Sequence, residues 1–151
     1  MELLDHRQAV AAEEIFRLMQ LSYAVEAELL GVQDFYPLKR TVADLQTAES
    51  RFYGARVGRR LVGVLELAPP HSGTANIDAL VVDPQYFRLG TGSALIQYLR
   101  EQNPSLELTV STGVLNQPAR RLYQNQGFCE THRWTTEDGI AMVSFAWTKG
   151  K

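Results

Sequence analysis

The sequence predicts a single-domain α/β (α+β) fold, one mixed central β-sheet flanked by about four helices. Three observations predict it. In the first fifty positions apolar residues recur at three- and four-residue steps, the period of a helix face. After Arg51 they switch to short strand-like runs, broken by two further helical stretches. The 151 residues show no repeat, linker or charge block at which a second domain would start. That length supports one hydrophobic core, and 45% hydrophobic with 21% charged residues is a folded chain's composition.

The elements follow in order. A stub of strand fits Leu3-Leu4. Over Ala9–Tyr23, the residues Ala12, Ile15, Phe16, Met19 and Tyr23 fall on one helix face. Gly31 and Pro37 break that pattern, and Thr41-Val42-Ala43-Asp44 reads as a capping box opening a short helix with Leu45 and Ala48. Phe52–Val57 and Leu61–Leu67 are strands joined through Gly58-Arg59-Arg60, a tight hairpin connection. Residues 68–73, with two prolines and a glycine, form a loop. Thr74–Val82 is the next strand, stopped by Asp83-Pro84 because proline cannot extend a ladder. Thr91–Glu101 is a helix with Ala94, Leu95, Tyr98 and Leu99 inward, ended by Asn103-Pro104. Leu106–Ser111 is a strand, Gln117–Gln126 a helix closed by Gly127, and Phe128–Trp134 with Ile140–Thr148 a last hairpin.

Charge and composition exclude several function classes. Fifteen basic against 17 acidic residues give −2, too balanced for a nucleic-acid partner held by phosphate neutralisation. Twelve of the 15 basic residues are arginine, whose planar fork keeps a small local anion site open. A single cysteine, Cys129, excludes an internal disulfide and a cysteine-based zinc site, and reads as a small buried hydrophobe. His6, His71 and His132 have no ligand spacing, so no metal is expected. No apolar run approaches 18 residues and the N-terminus lacks a signal pattern, so the expectation is a cytoplasmic protein without a membrane partner.

Two segments carry chemistry. In the first, the strand ending Leu80-Val81-Val82 runs through Arg88-Leu89-Gly90-Thr91-Gly92-Ser93 into a helix. Helix starts leave N–H groups unpaired and carry partial positive charge, which suits a phosphate, and the glycines allow close approach. A plain turn with a solvated Arg88 fits the same residues. In the second, Asn116 caps a helix whose Pro118 sits in the first turn. Tyr123 follows two turns later on nearly the same face, with Ala119 between them. Two polar ends and a small middle form a groove for a narrow amide-bearing chain. A cap, a core aromatic and a helix former are the structural alternatives.

Together these segments resemble the GNAT superfamily of acyl-CoA-dependent N-acetyltransferases. The resemblance covers Thr74 to Phe128 in motif detail and the whole chain, residues 1–151, in element order. Gly90-Thr91-Gly92 fills the glycine half of the family's Gln/Arg-x-x-Gly-x-Gly/Ala loop, whose amides hold the coenzyme A pyrophosphate. Phe87 stands where the leading Gln/Arg belongs, with Arg88 one residue late, a departure that bears on side-chain help to the phosphates. Asn116 to Phe128 matches the family's Asn-x-x-Ala-x-x-x-Tyr-x-x-x-Gly-Phe signature at every specified position.

The resemblance implies direct attack of an amine on the acetyl-CoA thioester, with no metal. Backbone N–H groups of Leu80, Val81 and Val82 would pair with the pantetheine arm and polarise the thioester, opposite a splayed strand near Val110-Ser111. Asn116 would bond the pantetheine, Ala119 would let it pass, and Tyr123 would be the general acid toward the CoA thiolate. The general base is open between Asp78, Glu66 and a water. Both carboxylates sit in central strands where charge is depleted, and a structural role fits each equally. Asp78 leads because it lies on the thioester-polarising strand and, by alternation, shares a face with Leu80 and Val82.

A small-molecule or peptide amine is the implied acceptor, and a bare catalytic core modestly favours a small one. Glu26, Glu28 and Asp34 with Phe35-Tyr36 offer a cation-attracting cover or an ordinary solvated face. Trp134 could wall the pocket or serve the core, and the last hairpin's edge strand could support a homodimer. A non-catalytic acyl-CoA-binding module is the alternative in another class. It needs the glycine loop but no phenol beside the thiol. A nucleotide-binding domain ranks lower, lacking a Walker lysine or ribose-binding acid.

Overall fold

A computed structural model describes residues 1–149. The elements are β1 (Glu2–Leu4), α1 (Ala9–Leu30), α2 (Val42–Thr47), β2 (Arg51–Val57), β3 (Arg60–Leu67) and β4 (Thr74–Val82). They continue as α3 (Thr91–Gln102), β5 (Glu107–Gly113), α4 (Gln117–Asn125), β6 (Cys129–Thr135) and β7 (Ala141–Trp147), with 3-10 turns at Tyr36–Lys39 and Pro84–Tyr86. The seven strands form one sheet in the order β1-β2-β3-β4-β5-β7-β6, a mixed sheet with four helices as the sequence predicts. The Leu3-Leu4 stub is a genuine strand paired with β2. The first helix outruns its predicted end at Tyr23 by two turns and stops at Leu30. Gly31 then takes the left-handed conformation that closes it. Thr41 and Asp44 form the predicted capping box, each side chain accepting from the other's backbone N–H.

Two cores lie on opposite faces of the sheet. One packs α1 through Ala12, Ile15, Leu18 and Met19 against Phe52, Val64, Ala79 and Val81. The other packs α3 through Leu95, Ile96 and Leu99, with Tyr123 and Phe128, against Leu65, Ala75, Ile77 and Val110. β4 thus serves both layers: Ala75 and Ile77 belong to the α3 side, Ala79 and Val81 to the α1 side. The change of side is a β-bulge. Glu66 of β3 pairs with Ala79 and Leu67 with Ile77, so Asp78 is the inserted residue. This corrects the expectation that Asp78 shares a face with Leu80 and Val82. Leu80 packs toward the α3 core, and simple alternation does not cross the bulge.

All neighbouring strands are antiparallel except β4 and β5, which pair in parallel only over Thr74–Ile77 and Glu107–Val110. Beyond that the two strands part, β4 running on to Val82 and β5 to Gly113. The last hairpin pairs with β5 through β7, leaving β6 at the sheet edge with every residue exposed. Cys129 lies on that edge and is exposed, not buried. Its place in a strand, which suggested a small buried hydrophobe, does not bury it, because β6 is the outermost strand of the sheet. Among the described residues no helix is long and apolar enough to cross a membrane.

Candidate active site

The gap between the parted ends of β4 and β5 opens into a cavity of about 290 Å³. Asp78, Ala79 and Leu80 line one strand wall, and Ser111, Thr112 and Gly113 the other. Because the Asp83 N–H donates to Val62 O across β3, strand alternation turns the N–H groups of Leu80 and Val82 toward the open edge. No strand pairs with β4 there. Val81 points its side chain into the α1 core.

At the end of β4, Asp83 caps the Pro84–Tyr86 turn by accepting from Gln85 N–H, and it pairs with Arg60 at 2.7 Å. The chain then passes through exposed Arg88 and Leu89, Arg88 itself at φ +64°. Gly90, at φ +81°, is the N-cap of α3 and supplies no side-chain cap. The first helix bond runs from Ala94 N–H to Gly90 O, so Thr91, Gly92 and Ser93 have no helical acceptor for their N–H groups. Gly92 lets α4 pack close: a Cβ there would lie 2.9 Å from the Cδ2 end of the Leu122 side chain. Arg88 makes no ion pair among the described residues.

α4 closes the other side. Asn116 caps it, its Oδ1 accepting from Ala119 N–H at 3.2 Å, and its Nδ2 donates to Glu26 Oε1 at 3.2 Å. Asn116, Ala119 and Tyr123 all reach the cavity, as their spacing predicts. Tyr123 is 4% exposed, its ring tilted against Phe128 and Phe145. Burial, and then the negative charge of Glu26, push its phenol well above its ordinary range.

The two candidate bases separate. Asp78 lines the cavity and is exposed to it, its Oδ1 accepting from Asn76 Nδ2 at 2.8 Å. Asn76 is in turn fixed by Thr109 Oγ1, which donates to its Oδ1 at 2.7 Å. Glu66 is not on the cavity wall. It is 3% exposed, accepts two bonds from Arg40 at 2.6 and 2.8 Å and a third from Ser50 Oγ. With both oxygens engaged, Glu66 is a buried structural carboxylate, which removes the geometric ground for a base role.

The remaining wall comes from α1, the segment after it, and the β6–β7 turn. Tyr23, Glu26 and Leu30 contribute from α1, Phe35, Tyr36 and Pro37 from the 3-10 region, and Thr136, Asp138 and Ile140 from the turn. Of the three early acids only Glu26 enters. Glu28 is exposed elsewhere, and Asp34 pairs with Lys39 at the surface. Glu26 is raised above the ordinary carboxylate range by burial, partly offset by its Asn116 bond. Trp134 is not in the wall. Its Nε1 donates to Ser144 Oγ, whose partner is Ser111 Oγ. Tyr23, predicted as core, and Asp138, in a polar turn, were not marked by any local signal. Only the chain's closure over the β4–β5 gap brings them in.

A model of the acetyltransferase (GNAT) family matches residues 12–128. The chain belongs to that family. GNAT proteins are acetyl-CoA-dependent acyltransferases, and the fold just described is theirs. UPF0157 protein YqkA of Bacillus subtilis (strain 168) is 32% identical over 145 residues, which cover 95% of this chain and 42% of that protein. This chain thus spans less than half of that relative. An N-alpha-acetyltransferase of Sulfurisphaera tokodaii is 28% identical over 129 residues, 76% of this chain and 77% of that one. Among solved structures, the Escherichia coli ribosomal-protein-S18-alanine N-acetyltransferase superposes with a TM-score of 0.73 at 17% identity, covering 99% and 96% of the two chains. An aminoglycoside 6'-N-acetyltransferase complexed with coenzyme A gives 0.75 at 15% identity, covering 97% and 95%. At these identities the two structures establish a shared GNAT fold.

Proposed function

We propose that this GNAT domain transfers the acetyl group of acetyl-CoA to a primary amine by direct attack. The observation that carries the reading is the unpaired β4 edge facing a cavity that also holds Asp78 and Tyr123. Acetyl-CoA supplies an activated thioester. The N–H groups of Leu80 and Val82 donate to the amide carbonyls of the pantetheine arm and to the thioester carbonyl oxygen as charge develops on it, whereas Val81, expected to join them, turns its N–H toward β3. The loop from Arg88 through Leu89, Gly90, Thr91 and Gly92 to Ser93 offers free amides at a helix start to the pyrophosphate, which needs little side-chain charge. A solved protein of this fold is complexed with coenzyme A, and with Phe87 in place of the family's leading Gln/Arg the amides carry the contact here. Asn116 keeps one Nδ2 hydrogen for the pantetheine, and Ala119 leaves room for it.

Asp78 receives the ammonium proton, without which an alkyl amine of pKa about 10.4 is almost wholly non-nucleophilic at neutral pH. The new C–N bond forms as the C–S bond breaks, and Tyr123 donates to the departing sulfur. A phenol held this high stays protonated throughout the neutral range but gives up its proton reluctantly. Its main contribution is the hydrogen bond to the thiolate, with the final proton exchanged through solvent. Any homodimer would form through the exposed β6 edge.

Tyr123→Phe tests the reading. Turnover, followed as free thiol, is expected to fall by about 10²-fold, with the KM for acetyl-CoA changing by less than about threefold. Equal turnover in the two proteins removes Tyr123 from the reaction.

A further inference from the structure

We infer that the acceptor is an amine carrying a second cationic group and no adjacent carboxylate, and that Glu26 is the side chain that selects it. This acceptor class presupposes the acetyl-transfer reading above. Among the described residues, the charged ones lining the cavity are Glu26, Asp78 and Asp138, with no lysine, arginine or histidine. Asp78, on the β4 bulge at the mouth of the strand gap, is matched to the reacting nitrogen. Glu26 approaches from α1, a different wall, and is left over from that task.

Its surroundings are those of a site waiting for a cation. Among the described residues, Glu26 accepts one bond, from Asn116 Nδ2 at 3.2 Å, and pairs with no basic side chain. A carboxylate withdrawn from water without a counter-charge is costly, and an arriving cation recovers that cost. Elsewhere the fold does not leave such a charge alone: Glu66 has Arg40 and Asp83 has Arg60. The burial-driven rise of the Glu26 carboxyl reflects the same lack of compensation. Tyr23, Phe35 and Tyr36 add aromatic faces, which also favour cations over anions. A cavity of about 290 Å³ accommodates two nitrogens joined by a short aliphatic chain. A carboxylate beside the acceptor amine would instead meet three like charges, a repulsive element that discriminates against amino acids.

The test uses the full chain, acetyl-CoA, and three probes: 1,4-diaminobutane, butylamine and ornithine, with thiol release giving kcat/KM. The unmodified protein is expected to prefer the diamine to butylamine by about tenfold or more, and to ornithine by a similar factor. Glu26→Gln keeps an oxygen for Asn116 but removes the charge, and is expected to bring the diamine-to-butylamine ratio near one. Glu28→Gln, on the exposed side of the same helix, is expected to leave the ratio as it was. A ratio near one in the unmodified protein, an equal or better reaction with ornithine, or a ratio unchanged by Glu26→Gln overturns the inference while the acetyl-transfer reading stands. No thiol release with any amine overturns both. The preference of the unmodified protein is decisive even if the variant does not fold.

Discussion

Glu66 and Glu26 are both carboxylates withdrawn from water, and the molecule treats them oppositely. Glu66 is saturated: a bidentate arginine and a serine hydroxyl occupy both oxygens. Glu26 has a single neutral donor and, among the described residues, no cation. The first arrangement knits β3 to the segments before β2, since Arg40 and Ser50 flank α2. The second costs stability and leaves a charge facing a cavity. A charge that belongs to the architecture is neutralised within the chain, whereas the one left uncompensated is the one proposed to meet a cationic acceptor.

That contrast can be broken by experiment. The largest effect is expected at Glu66. Glu66→Ala strands Arg40 in a partly buried site and is expected to lose about 3 kcal/mol or more, read as a fall in Tm of roughly 6–12 °C. A Tm within a degree of the parent's would mean that the saturated site is not structural. Next comes Asp78→Asn, exposed and bonded only to Asn76. Turnover is expected to fall about 10²-fold, equivalent to ~2.7 kcal/mol of barrier, with little change in Tm. A large loss of Tm there would place Asp78 with Glu66 as a structural carboxylate.

The smallest effect is expected at Glu26, and its sign is the sharpest test of the contrast. The folded-state pKa of Glu26 lies above its unfolded value, so the group's favourable contribution is complete at pH below the unfolded value and is lost as pH rises through the folded one. Glu26→Gln is therefore expected to match the parent's Tm in acid and to exceed it by about 2 °C near pH 8. Thermal melts across pH 4–8 read this directly. A lower Tm for the variant at pH 8 would mean that the ionised carboxylate is stabilised within the free protein.

The half of the site proposed for the coenzyme was legible because its geometry is local. Gly90 must reach a positive φ just before α3, and Asn116, Ala119 and Tyr123 are set by the pitch of one helix. Short-range rules place them whatever the rest of the chain does. The acceptor half is built from residues about ninety positions apart, as Glu26 and Asn116 are, and no periodicity announces such a meeting. Glu66 and Asp78 looked alike for a related reason. Both are acids in central strands, and what separates them is Arg40, which arrives from a turn 26 residues away. The bulge is not legible in the sequence because one inserted residue leaves the apolar alternation of Thr74–Val82 unbroken. The extra two turns of α1 escaped because its exposed Leu21, Val25 and Leu29 blur the face after Tyr23.

The bulge at Asp78 also bears on how this strand can vary over evolution. Upstream of it the pleat addresses one layer of the protein and downstream the other. Substitutions along β4 act on one layer at a time. Loss of a single residue would re-phase the downstream half, turning Ala79 and Val81 out of the α1 layer and rotating the donors of Leu80 and Val82 away from the open edge. β4 is therefore a segment whose length is constrained more tightly than its sequence: side chains can drift there, but a one-codon deletion would disturb both packing and the open edge at once.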